Sequence, residues 1–296
     1  MRVTVCELPH EPAAFAAAWA ALCDHTRAHA SQFVLLPEFA MLEPVWESAH
    51  FDAARWNANV ALNDIQLGRL AELGVEHVVG TRPVGMNGRR LNQGYLWSRD
   101  AGVQPLRSKY FLPDEPGNWE ATWFHRGDRE FPLFHAGPVS FGVNICSELW
   151  ALETYGGYAE LDAQLVLSPR ATELATTMRW LAVGVVAAIR SGAFSLSSNR
   201  VDPTGACGGG GWIVDPAGEI LALTSSVEPF ATRDIDHVVI SGEYERRFRD
   251  SELQMLQELV SAGYAKQEFR GDDGTVAYTV QPPASARRSS PRDCHF

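Results

Sequence analysis

The sequence predicts a mixed α/β sheet with helices packed outside it. Short apolar runs rich in Val, Ile and Leu alternate with stretches of helical spacing in both halves of the chain. No Pro/Gly/Ser-rich linker divides it, and no short repeat recurs. With 296 residues, 46% of them apolar and 21% charged, the chain can bury a substantial core as one large or two ordinary domains.

The elements follow in order. "RVTVCEL" (residues 2–8) alternates around β-branched residues and reads as the first strand. Residues 12–30 are alanine-rich with helical spacing, and "QFVLLPE" (32–38) is a continuous apolar run of the buried-strand type. A second helical stretch, residues 52–73, leads to the strand "EHVVGTRPV" (76–84). Residues 91–110 read as two strands around an Asp-Ala-Gly turn. "GPVSFGVNIC" (137–146) and "DAQLVLSPRA" (162–171) are strands, with the helix-like "SELWALETYGGYAEL" (147–161) between them. Residues 177–192 form a longer helix. The strands "AFSLSSNRV" (193–201), "GGWIVDPAGEILAL" (210–223, paired through a Pro-Ala-Gly turn) and "DHVVISGEY" (236–244) follow. From residue 281, "QPPASARRSSPRDCHF" has the composition of a loose tail.

Composition excludes several classes. A formal charge of -11 argues against a nucleic-acid binder, which needs a basic face, and the cluster "ARRSSPR" reads as a solvated tail. Five cysteines without tight spacing do not form a disulfide framework and suit a reducing compartment. The early run "AAFAAAWAAL" follows acids and a proline, lacks a basic flank, and falls short of the roughly 20 residues a membrane helix needs. A cytoplasmic protein is expected. "GACGGGG" (205–211) lacks the Lys-Ser/Thr of a phosphate-binding loop, so its Gly208–Gly211 run is expected to serve a close backbone approach or a turn. Cys207 within it reads as incidental, Trp180 as helix core, and Cys6 with His10 offers too few ligands for zinc.

Three apolar strands end in or near an unusual ionisable residue: Glu38 after "FVLLP", Lys109 in "LRSKYFLP", and Cys146 after "FGVNI". In open α/β sheets, functional groups gather beyond the carboxyl ends of strands. Together the three make chemical sense: a carboxylate takes the thiol proton, and an ammonium stabilises both thiolate and developing oxyanion. Each also has a plain structural reading. Cys146 can be a small buried hydrophobe, Glu38 an acid favoured at a helix start, and Lys109 a loop cation. Periodicity does not bring them together in space.

The strings around them do. "LLPEFA", "SKYFLPDE" and "FGVNICSE" occur in the order and at separations that resemble the nitrilase superfamily of carbon–nitrogen hydrolases. "LSPRAT" is similar to that family's Pro-Ser-Ala-like strand end, and "SSNRVDPTGACGGGGWIVDPAGEILA" to its asparagine strand and following hairpin. The resemblance spans residues 1–241. It implies a four-layer αββα sandwich in one domain, expected over residues 1–280. It also implies Cys146 as nucleophile, Glu38 as general base, and Lys109 with the backbone N–H of Ser147 around the oxyanion. Glu120, in "NWEATWFHRGD", stands where the family has a second glutamate supporting the lysine. The implied activity is hydrolysis of a non-peptide amide through a cysteine acyl-enzyme, with no metal and no organic cofactor. Nitrile hydrolysis, acyl transfer to an amine, and a catalytically silent binding or scaffold protein remain alternatives.

Two positions depart from the family's subgroups. Many members acting on carboxylate-bearing substrates have an arginine four residues after the nucleophile, where this chain has Trp150; Arg170 or Arg179 would have to substitute. True nitrilases usually have a tryptophan directly after the cysteine, where this chain has Ser147 before Glu148. Trp119, Trp123, Trp150 and Tyr155, with Arg170, are candidates for lining a substrate pocket. The expected partners are a small-molecule amide or nitrile, no nucleic acid and no membrane. A homodimer or larger homo-oligomer is also expected, with Leu149, Leu152, Tyr155 and Tyr158 as interface candidates.

Overall fold

A computed structural model describes residues 1–235 in full, together with the backbone of strands Ala265–Arg270 and Val276–Val280. By its contacts the chain divides into two units, Met1–Ser241 and Gly242–Phe296. The strand expected at residues 236–244 and the tail expected from residue 281 lie outside the described residues.

The first unit begins with strand β1 (Arg2–Leu8), helix α1 (Pro12–Ala28), β2 (Phe33–Leu35) and α2 (Ala53–Leu67). Strands β3 (His77–Met86), β4 (Arg89–Ser98) and β5 (Gly102–Ser108) precede the one-turn helix α3 (Glu120–Trp123). Then come β6 (Phe134–Ala136), β7 (Val139–Val143), α4 (Glu153–Glu160), β8 (Leu165–Arg170) and α5 (Thr177–Ser191). Strands β9 (Phe194–Arg200), β10 (Trp212–Val214), β11 (Ile220–Leu223) and β12 (Phe230–Asp234) complete it. In the second unit, β13 (Ala265–Arg270) pairs antiparallel with β14 (Val276–Val280).

Local chemistry explains several boundaries. Helix α1 starts with Pro12 at its first turn and a Glu11 carboxylate accepting from the Ala14 N–H at 2.8 Å, which satisfies one of the orphan donors there. The β3–β4 hairpin turns at Asn87 and Gly88, both with positive φ, as a tight two-residue loop requires.

One half-sheet runs β5-β4-β3-β2-β1, with β12 also on β1; the other runs β9-β8-β7-β6, with β10 and β11 beyond β9. They join where Glu7 and Leu8 of β1 pair in parallel with Asn199 and Arg200 of β9. Alternation along the strands sends Val3, Val5, Phe33 and Leu35 inward against Phe141, Val143, Leu165, Leu167 and Leu196 of the facing half. The outward set of the first half, including Val34, Leu36 and Val78, packs beneath Phe15, Trp19 and Leu22 of α1. On the other side, Tyr155 and Tyr158 of α4 and Leu181, Ala187 and Ala188 of α5 cover Val166, Trp212 and Val214. The result is helix, sheet, sheet, helix: the four-layer αββα sandwich.

The helix expected over residues 147–161 is broken. Residues Cys146–Trp150 form a 3₁₀ turn, and α4 begins only at Glu153 after a non-helical Ala151. The same segment corrects the interface expectation. Leu149, Tyr155 and Tyr158 are fully buried against the sheet within one chain, so of the four candidates only Leu152 is exposed. Among the described residues no helix is long and apolar enough to cross a membrane.

Candidate active site

Glu38, Lys109 and Cys146 all lie just past the ends of strands, at one end of the sandwich. Glu38 follows β2 in a turn where Phe39 adopts φ +47°. Its N–H donates to the Arg170 carbonyl (3.1 Å), and Phe39 donates to Thr81 Oγ1 (2.8 Å). The buried Arg200 guanidinium donates to the carbonyls of Phe39 and Leu42, at 2.9 and 2.8 Å, and so fixes the whole turn. Lys109 follows β5, with its N–H on the Asn92 carbonyl and its own carbonyl accepting from Gly127, both at 2.8 Å. A Cβ on Gly127 would sit 2.2 Å from the Ser108 oxygen, so that approach needs glycine. Glu120 is the first residue of α3.

Cys146 turns the chain sharply out of β7 with φ +49°, a left-handed conformation that costs a non-glycine residue about 1–2 kcal/mol. Neighbouring side chains hold it there. Asn144 donates to the Glu148 carbonyl (2.8 Å) and to Thr154 Oγ1 (2.9 Å). Glu148, fully buried, accepts from the N–H groups of Ile145 (2.9 Å) and Tyr110 (2.7 Å) and from both terminal nitrogens of Arg107. One carboxylate thus ties the segment carrying Lys109 to the turn carrying Cys146.

The side chains form a buried polar cluster. Lys109 Nζ, with no exposed surface, donates to Glu38 Oε1 at 2.9 Å and to Glu120 Oε2 at 2.5 Å. Asn92 Nδ2 donates to Glu38 Oε1 at 2.8 Å and to Glu120 Oε1 at 2.9 Å. Glu38 Oε2 has no partner among the described residues, and neither does the third Lys109 N–H. Charges follow from this packing. Burial pulls the Lys109 ammonium down, but Glu120 and Glu38 outweigh it, and the net direction is upward. Burial pushes Glu120 up to about 7 against the pull of Lys109. Burial, then the Glu38 charge, push the Cys146 thiol well up, so at rest it keeps its proton and needs a base. The Arg170 carbonyl accepts from the Glu38 N–H, and the backbone of Ala171, next in the chain, favours the Cys146 thiolate against that burial.

Cys146 and Ser147 lie in the wall of a cavity of about 570 Å³. Trp46, Trp150 and Trp180 supply its aromatic walls, and Glu47, Glu115, Glu173 and Arg179 its charges. Of the sequence-predicted pocket residues, only Trp150 is there, half exposed and edge-on to Trp180 at 5.5 Å between ring centroids. Trp123 is fully buried in an aromatic cluster with Phe39, Trp46 and Phe124, and its indole N–H donates to the Ser48 carbonyl. Tyr155 is in the core, and Trp119 is not in the cavity wall. Arg170 points away: its guanidinium donates to Ser197, Thr172 and the Gly210 carbonyl, each at 2.7 Å, and stacks on Trp212. Conversely, Trp180 and Cys207, read from sequence as core and incidental, both line the cavity. The Gly208–Gly211 run serves a close approach: a Cβ on Gly209 would meet the Glu7 carboxylate at 2.3 Å. Among the described residues no group of three His, Cys, Asp or Glu side chains is placed to hold a metal ion.

The profile of the Carbon-nitrogen hydrolase family matches residues 2–242. An N-carbamoylputrescine amidase from Oryza sativa subsp. japonica is 24% identical over 195 residues, which cover 59% of this chain and 65% of that protein. The chain thus matches just under two thirds of that curated relative's length. Among solved structures, a carbon-nitrogen hydrolase from Helicobacter pylori G27 superposes with a TM-score of 0.73 at 19% identity, covering 88% of this chain and 98% of that one. A structure of the amidase from Nesterenkonia sp. AN1, showing Michael addition of acrylamide at its active-site cysteine, gives 0.67 at 21% identity, covering 86% and 98%. At these identities the structures establish the fold, while the profile match spans most of the chain. The chain belongs to the carbon-nitrogen hydrolase family.

Proposed function

We propose that the protein hydrolyses a non-peptide amide through a covalent Cys146 acyl-enzyme. The observation that carries this reading is a cysteine on a left-handed turn at a cavity wall, together with a buried carboxylate that has one oxygen without a partner among the described residues. Glu38 Oε2 takes the thiol proton as Cys146 Sγ attacks the amide carbon. The tetrahedral oxyanion is stabilised by Lys109 and by the backbone N–H of Ser147, the second residue of its turn and so without an intrahelical acceptor. Glu120 keeps Lys109 charged. Collapse breaks the C–N bond, and Glu38 returns its proton to the leaving nitrogen. Glu38 then deprotonates a water that attacks the thioester, releasing the carboxylic acid and the free thiol.

The named relatives are amidases, and the acrylamide adduct on the Nesterenkonia enzyme's cysteine supports the same nucleophilic role here. Amide is preferred to nitrile because Ser147, not tryptophan, follows the nucleophile. Three carboxylates against one guanidinium in the cavity favour a neutral or cationic substrate over a carboxylate-bearing one. Screening neutral, cationic and anionic amides together with nitriles for ammonia release tests the reading. A thioester adduct on Cys146 with an amide is the expected result; turnover surviving in Cys146→Ala overturns it.

We also place self-association in this reading, through Leu152, Leu161, Met178 and Val186, all exposed on and around α4 and α5. Light scattering at micromolar concentration is expected to give a dimer or larger; a monomer removes the inference.

A further inference from the structure

Asn92 sits mid-strand in β4, fully buried, and its side-chain amide is the second bridge between the two carboxylates that Lys109 already bridges. Glu38 Oε1 accepts from both Lys109 and Asn92, and Glu120 spends one oxygen on each. The four side chains close a ring, carboxylate–amide–carboxylate–ammonium. Two like charges that close repel, and a single ammonium between them leaves the ring with an excess negative charge. The amide supplies two more N–H groups at that point without adding a charge. Its orientation is fixed, because the flipped rotamer would set Oδ1 against both carboxylates; Oδ1 itself has no partner among the described residues.

We propose that Asn92 is the positioning residue that holds Glu38 by its Oε1 and leaves its Oε2 as the oxygen available to the Cys146 proton. With Oε1 doubly occupied, the carboxylate cannot rotate its free oxygen away without breaking two hydrogen bonds. The titratable and charged groups facing Glu38 are Lys109 after β5, Glu120 from α3, Cys146 from the turn after β7, Arg200 from β9, and Cys207 from the loop after β9. Hydrogen bonds to the charged form of an acid favour that form, so removing Asn92 must make Glu120 harder to ionise and must free the Glu38 carboxylate to turn.

This inference rests on the amidase reading only for the identity of the base, so its test uses a probe that needs no substrate. The rate of Cys146 alkylation by iodoacetamide is followed against pH by peptide mass spectrometry, in wild type, Asn92→Leu and Asn92→Ser. Asn92→Leu keeps the volume and deletes both donors; its acid limb is expected to move to higher pH, with a rate at neutral pH about tenfold or more lower. Asn92→Ser keeps one donor and is expected to fall between, which decides the matter if Asn92→Leu does not fold. A fall in rate by the same factor at every pH would assign Asn92 a purely structural role and overturn the proposal. So would an unchanged profile in either folded variant. An amide screen that finds no substrate would defeat the functional reading while leaving this result standing.

Discussion

Among the described residues, two buried ion clusters lie at one end of the sandwich, and they are built differently. In one, Arg107 and Glu148 meet one to one, and Glu148 accepts from two backbone N–H groups as well as both guanidinium nitrogens. Both its oxygens are occupied. In the other, one ammonium serves two carboxylates, an amide makes up the deficit, and one carboxylate oxygen is left without a partner. The first cluster has nothing left to react with and works as a clamp between the Lys109 and Cys146 segments. The second leaves a carboxylate oxygen open, and its charges act on the Cys146 thiol. Charge balance and hydrogen-bond saturation, more than burial itself, separate the two clusters.

The largest expected effect is the loss of all turnover in Cys146→Ala with the fold retained, checked by amide turnover and a cooperative unfolding transition. Next, Glu148→Gln is expected to injure stability first. It leaves the Arg107 charge buried and unpaired, at a cost of about 3–5 kcal/mol read from urea denaturation. If Glu148→Gln stayed as stable as wild type while losing activity, the division between clamp and reactive cluster would collapse.

Glu120→Gln is expected to do the opposite, lowering the acylation rate about tenfold or more with a smaller change in KM, because Lys109 loses part of what keeps it charged at the oxyanion. Its effect on stability should depend on pH. Glu120 is raised from an ordinary 4.5 to about 7 in the folded chain, so its protonated form favours folding. That contribution is full below about 4.5 and is lost as pH rises through about 7. Urea titrations of wild type and Glu120→Gln between those limits should therefore converge on one side and separate on the other; parallel curves would return Glu120 to an ordinary loop acid. The smallest effect belongs to the cavity wall. Trp150→Ala, at a half-exposed site, is expected to shift stability by no more than about 0.5 kcal/mol and to raise KM several-fold with kcat little changed.

The same contrast explains what could be read from the chain in advance. The strand order of the polar residues was legible because each of Glu38, Lys109 and Cys146 ends or follows an apolar run, and the strings around them are specific. Asn92 was not, since an asparagine inside "LNQGYLW" carries no signal until Lys109 and both glutamates are seen around it. The clamp was half legible: Glu148 stood out beside the cysteine, but Arg107 lies 41 residues away, and nothing in the sequence pairs them. Trp119 and Trp123 flank Glu120 in the sequence, but nearness along the chain does not carry over at a one-turn helix. Trp123 faces the aromatic cluster beneath, whereas Trp46 and Trp180 arrive in the cavity from segments more than 100 residues apart. The tyrosines of α4 read as interface candidates because an amphipathic pattern does not say which partner covers it; here the sheet of the same chain does.

The left-handed backbone at Cys146 has a consequence for how this protein could age over evolutionary time. Glycine adopts that conformation freely, and every other side chain is held there at a cost. Cys146→Gly should therefore unfold at higher urea than Cys146→Ala, although both are expected to lose turnover. A descendant lineage relieved of its chemistry would gain stability by drifting to glycine at this one position. The residue in the turn after β7 then serves as a marker, with cysteine recording continued selection for reaction and glycine a fold kept for some other purpose.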